Sequence, residues 1–255
     1  MKLRLHQFLS RTGAFSSKRE LIEAVTNGEV TVDGAVVTSQ MHILDVKKRV
    51  CWKGRRLKRV GAKTYIAINK PEGYLSSRLT PDDARLGKKS VFELIGESTE
   101  LDERMKKSLF CAGRLDEDSS GLLVITNDGR LGSRITSPVS GVEKTYHAVL
   151  ARPVTDTELA KLQDGVTIPL EENGKITSYA TKPCIAEVNS KDRKQLKLTL
   201  SEGKKREVRR MLEAIGNKVV RLERTAIGKL TLQGLNLEKG QYAIINDIGK
   251  RIGIE

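Results

Sequence analysis

From residue 65 onward, short β runs and helical patterns follow one another with no repeating unit. Apolar residues alternate or cluster in the β-type stretches 65–69, 122–126, 145–151, 195–200 and 229–232. Helical spacing is found in 156–165 and 205–216. A parallel sheet needs regular βαβ units, and none is present. The pattern therefore predicts an α+β fold with a mixed, largely antiparallel sheet flanked by helices.

The first 60 residues are a separate, strongly basic segment. They hold 13 Lys+Arg against 5 Asp+Glu, out of a net charge of +14 for the chain. Leu5, Phe8 and Leu9 have helical spacing, and Ser16-Ser17 precedes a second amphipathic stretch. Residues 28–37 predict a β-hairpin around Asp33-Gly34. We predict a small helix-helix-hairpin module over 1–60, a linker at 60–64, and a second domain over 61–255.

Charge and composition restrict the partners. An excess of cations this large favours a polyanion such as nucleic acid, although a solvated basic face is the alternative. No apolar run approaches the roughly 20 residues of a membrane span, and the N-terminal residues do not form a signal peptide. Cys51, Cys111 and Cys184 are far apart, which favours a reducing compartment. The three histidines show no ligand spacing, so we expect no metal and no cofactor.

The segment "GRLDEDSSGLL" (113–123) joins two carboxylates to an apolar strand. A calcium loop starting at Asp116 needs Glu at its twelfth position, which is Asn127, and a following helix. The residues after it instead predict a strand ending in a turn at Asn127–Gly129. Spacing alone leaves two interpretations open for Asp116: a residue that stabilises the turn, or a carboxylate used in chemistry.

A second polar stretch combines an apolar helix stripe with arginines. Val208, Met211, Leu212 and Ile215 share one helical face, and Gly216 is suited to end the helix. Residues 204–224 hold eight Lys+Arg against three Glu. Such a face suits solvent, a phosphate or a carboxylate partner, and Arg is the better residue for a fixed carboxylate pair.

Taken together, these motifs resemble the pseudouridine synthases that modify ribosomal RNA at single sites, the RsuA-type family. "AGRLDEDSSGLLVITNDG" (112–129) is similar to the family's catalytic motif, and further matches follow in family order at 69–74, 134–138, 143–146, 200–211 and 221–232. The first 45 residues or so resemble the ribosomal-protein S-four-type (α-L) RNA-binding module. The resemblance implies the pseudouridine synthase fold for 61–255.

The resemblance also implies site residues. Asp116 matches the essential aspartate, Tyr146 the aromatic residue that stacks on the target uracil, and Arg209 the basic residue that pairs with the aspartate. Leu222 matches an apolar residue beside the base, and Glu207 stands where many members have Gln. Further substrate contacts are expected from Arg114, Leu115, Lys144, Arg206 and Arg210. Phosphate contacts are expected in the basic module from Arg4, Arg11, Lys18 and Arg19.

The function implied is isomerisation of uridine to pseudouridine in ribosomal RNA, with small-subunit RNA favoured over large-subunit RNA. The resemblance leaves open whether Asp116 attacks carbon or abstracts a sugar proton. We expect a cytoplasmic monomer that acts on ribosomal RNA or a pre-ribosomal particle, with no membrane partner. A non-catalytic RNA-binding or ribosome-assembly factor on the same fold, or a DNA-binding protein, are the alternatives.

Overall fold

The computed structural model of the chain describes residues 2–172 and 174–254. The strands are, in chain order, β1 Lys2–Arg4, β2 Val30–Val32, β3 Ala35–Val36, β4 Ile43–Asp45, β5 Val50–Trp52, β6 Arg55–Leu57, β7 Tyr65–Lys70, β8 Tyr74–Leu75, β9 Lys89–Ser90, β10 Phe110–Cys111, β11 Ser120–Thr126, β12 Lys144–Leu150, β13 Thr167–Glu172, β14 Lys175–Ala180, β15 Ile185–Val188, β16 Gln195–Leu200, β17 Val219–Ile227, β18 Leu230–Thr231 and β19 Tyr242–Ile244.

The helices are short, with four to nine residues each. They are α1 Leu5–Ser10, α2 Lys18–Thr26, α3 Pro81–Arg85, α4 Val91–Leu94, α5 Glu103–Ser108, α6 Gly129–Thr136, α7 Asp156–Asp164, α8 Glu207–Ala214, α9 Leu232–Leu235 and α10 Ile248–Ile252, with a 3₁₀ turn at Pro138–Ser140.

Chain contacts divide the molecule into two compact units. The first comprises Met1–Thr64 together with Ile95–Phe110, and the second comprises Tyr65–Leu94 with Cys111–Glu255. The short segment 95–110 therefore belongs to the same unit as the basic N-terminal residues, although it lies far along the chain.

In the first unit, α1 and α2 pack with the small sheet β3-β2-β5-β6 around a core that includes Leu5, Phe8 and Leu9. The Ser17 side chain caps α2 by accepting a hydrogen bond from the Glu20 amide at 3.1 Å, as the sequence predicts. Asp33 and Gly34 have φ values of 50° and 88°, the left-handed conformations that a two-residue hairpin turn needs.

The second unit is built on one mixed sheet of order β15-β16-β12-β17-β11-β7-β19. Every neighbouring pair in that order is antiparallel except β11 and β17, which run parallel over the pairs Ser120–Glu223 and Gly121–Arg224. The predicted α+β class with a largely antiparallel sheet is confirmed.

Two predicted boundaries differ from the structure. Strand β11 ends before Asn127 as expected, but the turn there leads directly into helix α6 from Gly129, because the Asp128 side chain accepts the Arg130 amide at 3.0 Å and caps the helix. Helix α8 starts at Glu207, two residues later than the pattern, because Arg206 has φ 55° and ψ 31°. Its end agrees, with Gly216 at φ 75°.

Candidate active site

The loop that carries Asp116 lies immediately before β11, and hydrogen bonds fix its backbone. The Ser76 hydroxyl donates to the Leu115 carbonyl at 2.8 Å and accepts from the Leu115 amide at 3.0 Å. The Ser119 amide donates to the Asp116 carbonyl at 3.1 Å and closes a tight turn. These bonds fix the backbone of the loop and leave the Asp116 side chain partly exposed.

Lys70, at the end of β7, supports the same loop from below. Its side chain is fully buried, and its ammonium donates to the carbonyls of Ser119 at 2.7 Å and Pro71 at 2.9 Å. Burial lowers the pKa of Lys70 to about 8, against the opposing effect of Asp118 and Asp116. The sequence match at 69–74 contains this lysine but does not mark it as a site residue. A cation inside an apolar strand is the signal that could have identified it.

The arginines of the 200–211 stretch meet this loop in an arrangement different from the expected one. Arg209 is buried, and its guanidinium contacts the Asp118 carboxylate at 3.2 Å, the Asp118 carbonyl at 2.9 Å and the Ser119 hydroxyl at 3.3 Å. Within residues 2–172 and 174–254, Arg209 makes no ion pair with Asp116. It extends from the inner face of α8 toward the loop backbone and the Val219 carbonyl, which accepts from it at 3.3 Å.

Arg206 is the arginine that reaches Asp116. Its guanidinium lies 3.8 Å from the Asp116 carboxylate and 3.5 Å from that of Asp118. The left-handed backbone of Arg206 directs the side chain over the loop instead of along the helix. A non-glycine residue in this conformation carries a conformational cost, which is more common at functional sites than elsewhere. No local sequence pattern indicates this conformation.

The strand geometry relates Tyr146 to the loop. Tyr146 on β12 is opposite Arg224 on β17, and Arg224 is opposite Gly121 on β11. Tyr146 and the start of β11 are two strands apart, so their backbones are separated by roughly 10 Å across the sheet. The register of β12 and β17 shifts between Thr145 and Tyr146, a bulge of the kind that redirects side chains next to active sites.

A pocket of about 530 Å³ opens beside the loop. It is lined by Gly73, Lys88, Glu117, Asp118 and Arg206. Lys88 and Glu117 form an ion pair at 2.7 Å at this pocket. The volume lies within the range of small-ligand sites and is large enough for one nucleotide.

The other residues expected to contact substrate have mixed positions. Arg114 is exposed and Leu115 is buried, while Arg210 is partly buried. Lys144 is buried, and that burial, together with the nearby Arg224, lowers its pKa. Leu222 is only 5 % exposed and belongs to the core cluster against which Tyr146 packs, so its side chain is a packing residue in this structure.

The cations expected to contact phosphate lie in the first unit. Arg4, Lys18 and Arg19 are exposed and Arg11 is partly exposed, while Arg19 also forms an ion pair with Glu23 at 2.7 Å. Within the described residues, no cluster of three or more metal-ligating side chains is present. No helix in that part of the chain is both long and apolar enough to span a bilayer.

Comparison with known proteins defines the class to which this fold and loop belong. The RNA pseudouridylate synthase family matches residues 64–214, and the S4 domain family matches residues 3–50. The chain therefore belongs to the RNA pseudouridylate synthases and carries an N-terminal S4 domain, which confirms the resemblance seen in the sequence.

Individual members of the family are similar to this chain over most of its length. The chain is 37 % identical over 218 residues to the ribosomal small subunit pseudouridine synthase A of Salmonella typhimurium, covering 86 % of each protein. It is 35 % identical to the protein of that name from Yersinia pestis, over 94 % of this chain and 93 % of the relative. A crystal structure of a pseudouridylate synthase superimposes with a TM-score of 0.66 at 29 % identity, over 98 % of this chain and 99 % of the other.

Proposed function

We propose that this protein converts one uridine of small-subunit ribosomal RNA to pseudouridine, with Asp116 as the catalytic residue. The observation that carries the proposal is the placement of the Asp116 carboxylate on a hydrogen-bonded loop, 3.8 Å from the Arg206 guanidinium, where the next two residues of the loop and Arg206 itself line a pocket. The choice of small-subunit RNA is supported by the relatives named ribosomal small subunit pseudouridine synthase A.

The reaction requires one carboxylate and no change of oxidation state. The glycosidic C–N bond breaks, the uracil rotates, and a C–C bond forms at ring carbon five, which gives up a proton while a ring nitrogen gains one. Both routes, attack on the sugar carbon and removal of a sugar proton, use a carboxylate oxygen of Asp116. The Arg206 guanidinium lies 3.8 Å from this carboxylate, and Arg209 holds the loop backbone by donating to the Asp118 carbonyl at 2.9 Å.

The target uridine must leave its base stack to enter a pocket of this kind. Extrusion costs a few kcal/mol, and stacking on an aromatic ring returns about 1–3 kcal/mol. Tyr146 is the aromatic residue we propose for that contact.

RNA backbone contacts are proposed for the N-terminal domain. We propose that residues 1–60 form the RNA-binding module and that 61–255 form the catalytic domain, acting as a cytoplasmic monomer. Arg4, Arg11, Lys18 and Arg19 are the first candidates. Strand β6 and the two residues after it add four exposed cations that make no ion pair in the described part of the chain, namely Arg55, Arg56, Lys58 and Arg59.

The decisive experiment compares Asp116→Asn with Asp164→Asn, an exposed aspartate at the end of α7. Pseudouridine formation is measured on small-subunit and large-subunit ribosomal RNA, and RNA binding is measured in parallel. We expect D116N to lose all product while binding RNA like D164N, which should retain wild-type activity. Product from D116N at a near-normal rate would refute the catalytic assignment. RNA binding without product from the wild type would favour the non-catalytic factor.

A further inference from the structure

We propose that Glu202 and Glu207 are positioning residues, which share one proton and hold the 201–206 loop so that Arg206 faces Asp116. The proposal rests on the proposed function, since it concerns how the Asp116 site is assembled. Neither carboxylate touches the loop of Asp116 in the described residues, and both are almost completely buried, at 2 % and 4 % exposure.

The two carboxylates differ in their hydrogen-bond partners. Glu202 accepts the Tyr179 hydroxyl at 2.6 Å and the Lys182 amide at 2.9 Å, so both of its oxygens have donors. Glu207 accepts the Lys204 amide at 2.8 Å through Oε2, while its buried Oε1 has no donor among the described residues. A buried carboxylate oxygen without a donor is costly.

A proton on Glu207 resolves this imbalance. A side-chain hydrogen bond between Glu207 and Glu202 raises the pKa of the first and lowers that of the second, so protonated Glu207 is the donor and its orphan oxygen gains a partner. Burial, reinforced by the hydrogen bond to Glu202, raises the pKa of Glu207 to about 8. Burial opposes ionisation of Glu202 too, but its donors Glu207, Tyr179 and Lys182 lower its pKa overall. The pair therefore holds one acid and one carboxylate at neutral pH.

The surrounding titratable groups support this assignment of charge. Hydrogen bonding to Glu202 and burial raise the pKa of Tyr179 to about 12, so its hydroxyl remains a donor. Four further groups interact electrostatically with the two carboxylates. They are Lys144 on β12, Lys182 and Cys184 after β14, and Lys204 in the loop itself. The Lys204 ammonium lies 4.5 Å from the centre of the Tyr179 ring.

The network ties the loop to two elements at once. Tyr179 belongs to β14, Glu207 opens α8, and the Lys204 amide between them is held by Glu207. Arg206 lies two residues after Lys204 and immediately before the helix, with its backbone in the left-handed region. Loss of the shared proton places two adjacent negative charges in a buried site, and their repulsion acts on the loop that presents Arg206. We expect catalysis to fall as Glu207 ionises, with little effect on RNA affinity.

The test uses Glu207→Gln, whose amide can donate to Glu202 and accept from Lys204 at every pH. The matched control is Glu213→Gln, an exposed position on the same helix. Single-turnover rates at saturating enzyme are measured from pH 6.5 to 9.5, and each is divided by the wild-type rate at that pH. The division cancels ionisation of the uracil and of Lys70, which all three proteins share.

We expect the E207Q to wild-type ratio to be near one at pH 7 and to rise to roughly tenfold at pH 9, since a group with a pKa of about 8 is then about nine-tenths ionised. The E213Q ratio should stay near one throughout, and RNA affinity should be unchanged in both variants. An E207Q ratio that does not change with pH would refute the shared proton as a positioning device.

Thermal unfolding provides a readout that does not depend on activity. The pKa of Glu207 is higher in the folded protein than in the unfolded chain, so the contribution of Glu207 to wild-type stability falls as pH rises from about 4.5 and levels off above about 8. The midpoint of E207Q minus that of wild type should therefore increase from pH 5 to pH 8 and then stay constant. A constant difference, or an E207Q that is much less stable than E213Q at pH 7, refutes the shared proton. If wild type forms no pseudouridine, the proposed function fails while this comparison still tests the proton.

Discussion

Gly121 is the position where one added methyl group should do the most damage to the site. It has φ +110°, and a Cβ built there would lie 2.3 Å from the Arg224 carbonyl oxygen and 2.6 Å from the Arg224 nitrogen. Both atoms belong to the backbone of β17, so the collision can be relieved only by separating β11 from β17. These strands are joined by two residue pairs, immediately after the Asp116 loop.

The expected cost of Gly121→Ala follows from these contacts. An alanine forced into a disfavoured φ costs about 1–3 kcal/mol. Loss of two backbone hydrogen bonds between the strands adds about 1 kcal/mol each. The total of roughly 3–5 kcal/mol is a large part of the roughly 5–15 kcal/mol that stabilises a folded protein. At roughly 2–4 °C per kcal/mol for a chain of this size, the melting midpoint should fall by roughly 6–20 °C.

The assay is urea denaturation and thermal melting of Gly121→Ala beside Gly141→Ala. Gly141 also has a positive φ, of +65°, but a Cβ there would have nothing within 4 Å. The control therefore carries the conformational strain without the collision, and it should lose only about 1–2 kcal/mol. Equal losses of stability in the two variants would refute the argument that close approach of β17 requires glycine at position 121.

Three further predictions concern single side chains. Lys70→Met should lower the rate of pseudouridine formation at least tenfold, because the carbonyls of Ser119 and Pro71 lose their donor. The effect on the melting midpoint should be smaller, because the substitution also removes the cost of burying an ammonium. A normal rate in a single-turnover assay would contradict this prediction. Arg209→Lys should lower both the rate of pseudouridine formation and the free energy of unfolding, since one ammonium cannot reach both Asp118 and the Val219 carbonyl. Arg206→Lys should lower the rate alone. Identical melting curves for the two variants would contradict a structural role for Arg209 that Arg206 lacks. Burial raises the pKa of Cys111 to about 12 and that of Cys184 to about 11. Both thiols should therefore react with iodoacetamide at pH 8 at least about 100-fold more slowly than free cysteine, measured by mass spectrometry. Rapid labelling of the folded protein would contradict the burial of these thiols.

Local patterns in the sequence determined several of the helices and strands and the class of the protein. The spacing of Leu5, Phe8 and Leu9 and the Ser17 cap specify two helices, and Asp33-Gly34 specifies a hairpin turn. These features depend on neighbours within a few residues, so sequence spacing is enough to identify them. The motif around Asp116 pointed to the pseudouridine synthases in the same way, because its residues are contiguous.

Tertiary structure decided which distant groups face one another. Spacing could not indicate that Arg206 reaches Asp116 while Arg209 reaches Asp118, because the difference depends on a left-handed backbone at residue 206. Nor could it indicate that Lys70 lies beneath a loop almost 50 residues later, since that contact is created by the pairing of β7 with β11. Burial and charge at a site are properties of the packed neighbours, and those neighbours are brought together only by the folded sheet.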